Sequence, residues 1–160
     1  MQIIDAHCHF WKLARGDYGW LAGDGGPLAP IRRDFLPRDY PSDAPRLIAV
    51  QAAPTVAETE FLLALAAEEP RIAGVVGWVD MADAGAVETL RRLAEHKKFK
   101  GIRPMLQDIG DTDWLLTAPS PAVLAEIASL GLRFDALVTE RHLPNLLRFM
   151  PALNVTRGEI

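Results

Sequence analysis

Short apolar runs alternate along the chain with longer stretches of helical period. The runs fall at residues 2–6, 46–52, 72–80, 99–106 and 132–138. Runs of this kind, bounded by Pro or Gly and rich in Val and Ile, read as strands buried on both faces. Helices are expected between them. Thr55 followed three residues later by Glu58 forms a capping-box pattern, Leu62, Leu65 and Ala66 give an i, i+3, i+4 stripe, and Pro70 stops the segment. A second helix is expected from Asp83 or Ala84 to His96, with Val87, Leu90 and Leu93 on its apolar side and Arg91 on its charged side. Ser120 caps a third, with Pro121 at its first position, Val123, Ile127 and Leu130 as its stripe and Gly131 as its stop. A fourth, weaker pattern covers residues 140–149.

Residues 11–43 break this rhythm. They carry Gly16, Gly19, Gly23, Gly25 and Gly26, together with Pro27, Pro30, Pro37 and Pro41, and no sustained period. Trp11, Tyr18, Trp20, Phe35 and Tyr40 make the stretch too aromatic for a solvated spacer, so it reads as a long ordered loop or lid over one end of the domain. Strand starts near residues 2, 46, 72, 99 and 132 space the later units by about 26–33 residues. Eight such units need roughly 250 residues, the usual size of a (β/α)8 barrel. This α/β chain holds about five.

Composition narrows the partners. Of 160 residues, 49% are hydrophobic and 24% charged, which excludes intrinsic disorder. The net charge of −4 leaves no basic surface for nucleic acid. Cys8 is the one cysteine, so no internal disulfide is expected. The N-terminus lacks the pattern of a secretory signal, and no apolar stretch has the length of a membrane span. A cytoplasmic protein, with neither nucleic-acid nor membrane partners, is expected.

The chemistry gathers at strand ends. Asp5, His7 and His9 alternate with Ala6 and Cys8, so the acid and both imidazoles share one face of the first strand. Such a pair either binds one divalent ion, with Asp5 orienting it, or is two surface histidines on an edge strand. Its place at the end of a strand favours the first reading, because barrel enzymes put their sites there. Cys8 points away and is not a nucleophile. Arg103 binds an anionic or polarised group of a substrate, or else pairs with a structural carboxylate. Gln51 bonds substrate or satisfies buried backbone. Trp11 and Trp20 wall a pocket or simply pack, as Trp78 and Trp114 do. Arg141 and His142 line the pocket or cap a helix. Gln107 and Asp108 read as loop-structuring, Asp135 as one half of a buried ion pair, and His96 as a solvated helix end.

One set of stretches is more specific than any of these. IDAHCHFW, DYGWL, APIRRDFLPRDY, VQAAPTVAETEFLL, GVVGWVD, KGIRPMLQD with DWLL, and LRFDALVTERHLPNLL together resemble amidohydrolase family 2. The resemblance is to the branch containing sugar-lactone and dicarboxylate lactonases. It implies a (β/α)8 barrel hydrolase that opens a lactone of a sugar acid or related carboxylic acid with an activated water. It further implies His7 and His9 as ligands of a divalent metal, zinc in some members and absent in others. Arg103 would be catalytic, and Trp11, Gln51, Arg141 and His142 would bind the small-molecule substrate. The family also places a His after its sixth strand and an essential Asp after its eighth. Neither has a counterpart here, because the resemblance fades near Met150. Residues 1–150 are therefore expected to be the N-terminal part of one barrel domain, and residues 151–160 a divergent tail. Residues 41–45 stand where the family usually has a helix. Two competing expectations remain: an incomplete barrel piece that folds or associates, including as a homo-oligomer, and a decarboxylase of the same superfamily.

Overall fold

The computed structural model describes residues 3–23, 26–41 and 45–153. The expected strand start at Gln2, the middle of the 41–45 segment and the tail from residue 154 lie outside the described residues. Five strands form one parallel sheet: β1 (Ile4–Cys8), β2 (Arg46–Val50), β3 (Ile72–Gly77), β4 (Phe99–Ile102) and β5 (Arg133–Phe134), in the order β1-β2-β3-β4-β5. Each new strand adds beside the previous one, with no reversal of direction. A doubly wound sheet reverses partway, whereas a barrel does not. This is the winding of a half-barrel.

The helices are α1 (Val56–Glu68), α2 (Ala86–Ala94), α3 (Trp114–Thr117), α4 (Pro121–Ser129) and α5 (Leu143–Phe149). Thr55 caps α1, its hydroxyl accepting from the Glu58 N–H at 3.0 Å, and Ser120 caps α4 by accepting from the Val123 N–H at 3.3 Å. Gly131, at φ +64°, turns the chain from α4 toward β5. Leu47, Leu62, Ile72, Leu90 and Ile127 lie fully buried between sheet and helices. Two glycines permit close approach. A Cβ on Gly77 would stand 2.3 Å from Thr59 Cγ2 of α1, and one on Gly101 would stand 2.4 Å from the Arg133 carbonyl oxygen of β5.

β2 to β5 end before the apolar runs that predict them, whereas β1 runs on to Cys8, past the expected end at Ala6. Gln51, Arg103 and Asp135 each make one last ladder bond, to the carbonyls of Val76, Gly77 and Ile102 at 2.8, 2.8 and 2.9 Å. After that the chain turns away into the connecting loop. The apolar residues beyond these points, including Val79 and Leu106, are buried as loop rather than strand. α3 has no periodic signature, being a single turn. The long segment after β1 is ordered by four short 3-10 turns and an antiparallel bridge between Trp11 and Phe35. Among the described residues no helix is long and apolar enough to cross a membrane.

Candidate active site

β1 carries a register irregularity against β2 between Asp5 and Cys8, a local distortion of the kind found beside functional sites. His7 lies within it and His9 just after it, and the two converge. Their rings meet edge-on with centroids 4.8 Å apart, and their Nε2 atoms are 3.1 Å apart. His9 Nδ1 lies 2.9 Å from the Val50 carbonyl, which only accepts, so Nδ1 carries the proton and Nε2 a lone pair. Burial holds the His9 pKa below its ordinary value, keeping that ring neutral. Arg103 Nη1 donates toward His7 Nε2 at 3.2 Å, so this nitrogen also presents a lone pair.

The one lone pair of His7 Nε2 is engaged by Arg103, and a cation held by both Nε2 atoms would take the place of that bond. Tetrahedral zinc with Zn–N bonds of roughly 2.0–2.1 Å sets its nitrogens about 3.3 Å apart, close to the observed separation. The donor chemistry therefore fits two ligands of a metal. Catalytic zinc takes three protein ligands, and the described residues hold no group of three or more His, Cys, Asp or Glu able to supply them.

The residues around the pair fix it in place. Asp5 accepts from the His7 backbone N–H at 3.0 Å and from the Tyr40 hydroxyl, so it steers the strand rather than an imidazole. The Tyr40 bond holds the Asp5 carboxyl below the usual carboxylate range, and the same bond pushes the Tyr40 phenol up to about 12. Arg103 is 5% exposed, with Nη2 donating to the Gln51 carbonyl while Gln51 Nε2 donates to the Arg103 carbonyl at 2.7 Å. Burial works against the Arg103 charge, and the nearby carboxylates of Asp135 and Glu58 favour it. Arg103 Nε and Gln51 Oε1 are buried without a partner. Unsatisfied buried polar atoms of this kind mark a place where a water or ligand is expected.

Glu58 is a buried charged residue beside the site that sequence reasoning read only as a helix-capping partner. Its place in the capping-box pattern concealed it. The carboxylate does not return to the Thr55 N–H; it accepts from the Ala52 N–H at 2.9 Å, in the loop after β2. The side chain is fully buried, and desolvation pushes its pKa up to about 7. Ala52 in turn accepts the Trp20 indole N–H at 2.8 Å. Glu58 thereby holds the segment on which Trp20 rests.

Trp20 is one wall of a cleft of about 560 Å³ at the C-terminal ends of β2, β3 and β4. Trp78 and Trp114 are two more walls, and Pro104, next to Arg103, joins the cleft to the histidine end. Trp11 stands behind it, its ring 5.6 Å from that of Trp20 and its N–H donating to the Arg33 carbonyl at 2.8 Å. The site residues foreseen from sequence thus fall into two groups. His7, His9, Arg103 and Gln51 come together, whereas Arg141 and His142 act on loops. Arg141 donates to the Ile109 and Gly110 carbonyls at 2.8 and 3.2 Å, gathering the loop after β4. His142 is buried, with Nδ1 accepting from the Thr139 N–H at 3.1 Å and Nε2 unpartnered. The Cys8 thiol is buried and pushed up to about 12, unsuited to nucleophilic attack.

Comparison with known proteins bears on the fold and the family. The family model described as Amidohydrolase matches residues 4–155. An L-fucono-1,5-lactonase from Burkholderia ambifaria is 45% identical over 91% of this chain and 51% of its own length. Another from Burkholderia multivorans is 38% identical over 91% of this chain and 50% of its own length. A crystal structure of a Burkholderia multivorans amidohydrolase with bound zinc superposes with a TM-score of 0.82 at 35% identity, covering 96% of this chain and 55% of that one. The chain spans about half the length of the curated relatives it matches. On the family match and the shared half-barrel together, this chain belongs to the amidohydrolase family.

Proposed function

We propose that the strand ends of this chain form one side of a site that opens the lactone ring of a sugar acid with water, giving the open hydroxy acid. The observation that carries this reading is the convergence of His7, His9 and Arg103 at the mouth of the half-barrel. The relatives named L-fucono-1,5-lactonase supply the substrate class.

Attack of water on the lactone carbonyl builds negative charge on its oxygen before the ring C–O bond breaks. Arg103 is suited to that oxygen: it is buried, permanently cationic, and held by the Gln51 carbonyl with its Nε still free to donate. Preorganised donors in a water-poor site contribute on the order of 10²–10³ in rate each. Gln51 Oε1 is an acceptor with no partner, placed to orient a substrate hydroxyl or the attacking water. The Nε2 atoms of His7 and His9 would hold a divalent ion, zinc by preference for nitrogen donors, which supplies Lewis-acid polarisation when bound. Trp11 supports the cleft through Trp20, while Arg141 and His142 set the loops that border it.

The test is a panel of neutral sugar 1,5-lactones followed by proton release in a weakly buffered indicator. Ring opening above the spontaneous rate is the expected result. Carbon dioxide evolution from carboxylated substrates, with no lactone opening, would replace this reading with decarboxylation.

A further inference from the structure

We infer that the tryptophan cleft is the seat for the body of the substrate ring, and that it accepts an uncharged polyhydroxylated ring while rejecting one that bears a carboxylate. The inference rests on the lactone-opening reading and adds a determinant of substrate choice to it.

The first ground is surface. Trp78 and Trp114 are half-buried, and Trp20 is 39% exposed, so three indoles present apolar area to an open space of about 560 Å³. That volume lies within the roughly 300–1,000 Å³ of small-molecule sites. The C–H groups of a sugar ring carry partial positive charge and are attracted to the negative faces of aromatic rings. Trp20 cannot swing freely, because its N–H is committed to the Ala52 carbonyl.

The second ground is the polar groups left over. Among the described residues, the indole N–H groups of Trp78 and Trp114 have no hydrogen-bond partner. They are donors for ring hydroxyls. Asp108 and Asp17 line the same space and are acceptors. Asp17 gives Oδ2 to Arg15 at 2.6 Å and to the Thr55 hydroxyl at 2.8 Å, which leaves Oδ1 without a partner.

The third ground is charge. Among the described residues no Lys, Arg or His lines the cleft, and the two charged residues that do are both acidic. Arg15 neutralises Asp17, whereas Asp108 forms no ion pair among the described residues. Arg103 lies at the histidine end, bound to His7 and to the Gln51 carbonyl, outside the cleft lining. A carboxylate on the ring body would lose water against indole and proline and meet Asp108 instead of a cation, a desolvation that nothing offsets.

The test is tryptophan fluorescence titration of the whole chain with L-galactose and L-galacturonate, which differ by a hydroxymethyl group against a carboxylate. Neither carries a lactone, so chemistry plays no part in the signal. L-galactose is expected to quench saturably, and L-galacturonate to bind at least about tenfold more weakly, the scale of one unpaired charge. Trp114→Ala should weaken L-galactose at least about tenfold, in keeping with loss of a stacking wall. Asp108→Asn alters an exposed side chain and should narrow the gap between the two sugars by about threefold, leaving the part due to desolvation against indole and proline. Equal affinity for both sugars, no saturable quenching, or an unchanged gap in Asp108→Asn would overturn the inference. Selective binding without lactone opening would instead leave the cleft assignment standing and remove the lactonase reading.

Discussion

The β/α frame and the segment between β1 and β2 solve the same problem by different means. In the frame, backbone ladders and a continuous apolar core set every position: Leu47, Leu62, Ile72 and Leu90 have no exposed surface. Residues 11–40 have a second, smaller core of Tyr18 and Leu21 against Ala52 and Ala53, with Trp11, Leu13 and Ile31 beside it. Side chains on backbone groups do the rest, as in Trp11 to the Arg33 carbonyl, Arg32 to the Leu21 carbonyl and Arg71 to the Pro37 carbonyl. The frame positions His7, His9, Gln51 and Arg103 through their strands, while the segment positions Tyr40, Asp17 and Trp20 one contact at a time. Positioning thus differs across the site, resting on strand ladders under His7, His9, Gln51 and Arg103 and on single side-chain contacts at the cleft wall.

The contrast can be broken at several points. Leu62→Ala should remove on the order of 2–5 kcal/mol in chemical denaturation, because it empties a fully buried position of α1. Glu58 is the link between the regions and should make stability depend on pH. Its folded-state pKa of about 7 lies above the 4.5 of a free carboxyl, so the folded chain binds this proton more tightly. Its contribution is fully present below about pH 4.5 and is lost as pH rises through about 7, up to on the order of 3 kcal/mol. Glu58→Gln keeps an acceptor for the Ala52 N–H and should flatten that slope between pH 4.5 and 7; an unchanged slope would mean another group is responsible.

Gly101→Ala should cost roughly 1–3 kcal/mol by overpacking, because the new methyl meets backbone rather than a mobile side chain. Hydrogen exchange checks it locally: the Asp135 N–H, bonded to the Ile102 carbonyl at 2.9 Å, should lose protection first. Trp11→Ala should be the mildest in global stability, about 1 kcal/mol for one hydrogen bond and its ring contacts. Its signature is limited proteolysis, with faster cleavage within residues 11–40 and none within the helices. If Trp11→Ala unfolds the chain as cooperatively as Leu62→Ala, the two regions are one unit.

The frame was legible because its signals are periodic. Thr55, Ser120, Pro121 and Gly131 stand at helix ends where their chemistry places them, and each of the five apolar runs overlaps a strand. Strand ends were less legible, since Val79 and Leu106 are buried as loop and hydrophobicity does not distinguish the two. His7 and His9 could be singled out by alternation alone, and Arg103 by its place after an apolar run. Their contact could not, because it depends on β1, β2 and β4 coming together. Glu58 was hidden by a local pattern that a long-range partner overrode: the Ala52 amide took the carboxylate that Thr55 was expected to hold. Trp78 and Trp114 gave no sign of facing a cleft, as a tryptophan in a core and one on a pocket wall look alike in sequence.

The most direct test compares the hydrolysis of L-fucono-1,5-lactone by the chain and by His7→Ala/His9→Ala, each corrected for spontaneous opening. Catalysed opening that falls at least about a hundredfold in the double variant, with its melting transition retained, is the expected result. Equal rates in the two proteins would place the chemistry elsewhere and contradict the assignment of the site to the end of β1.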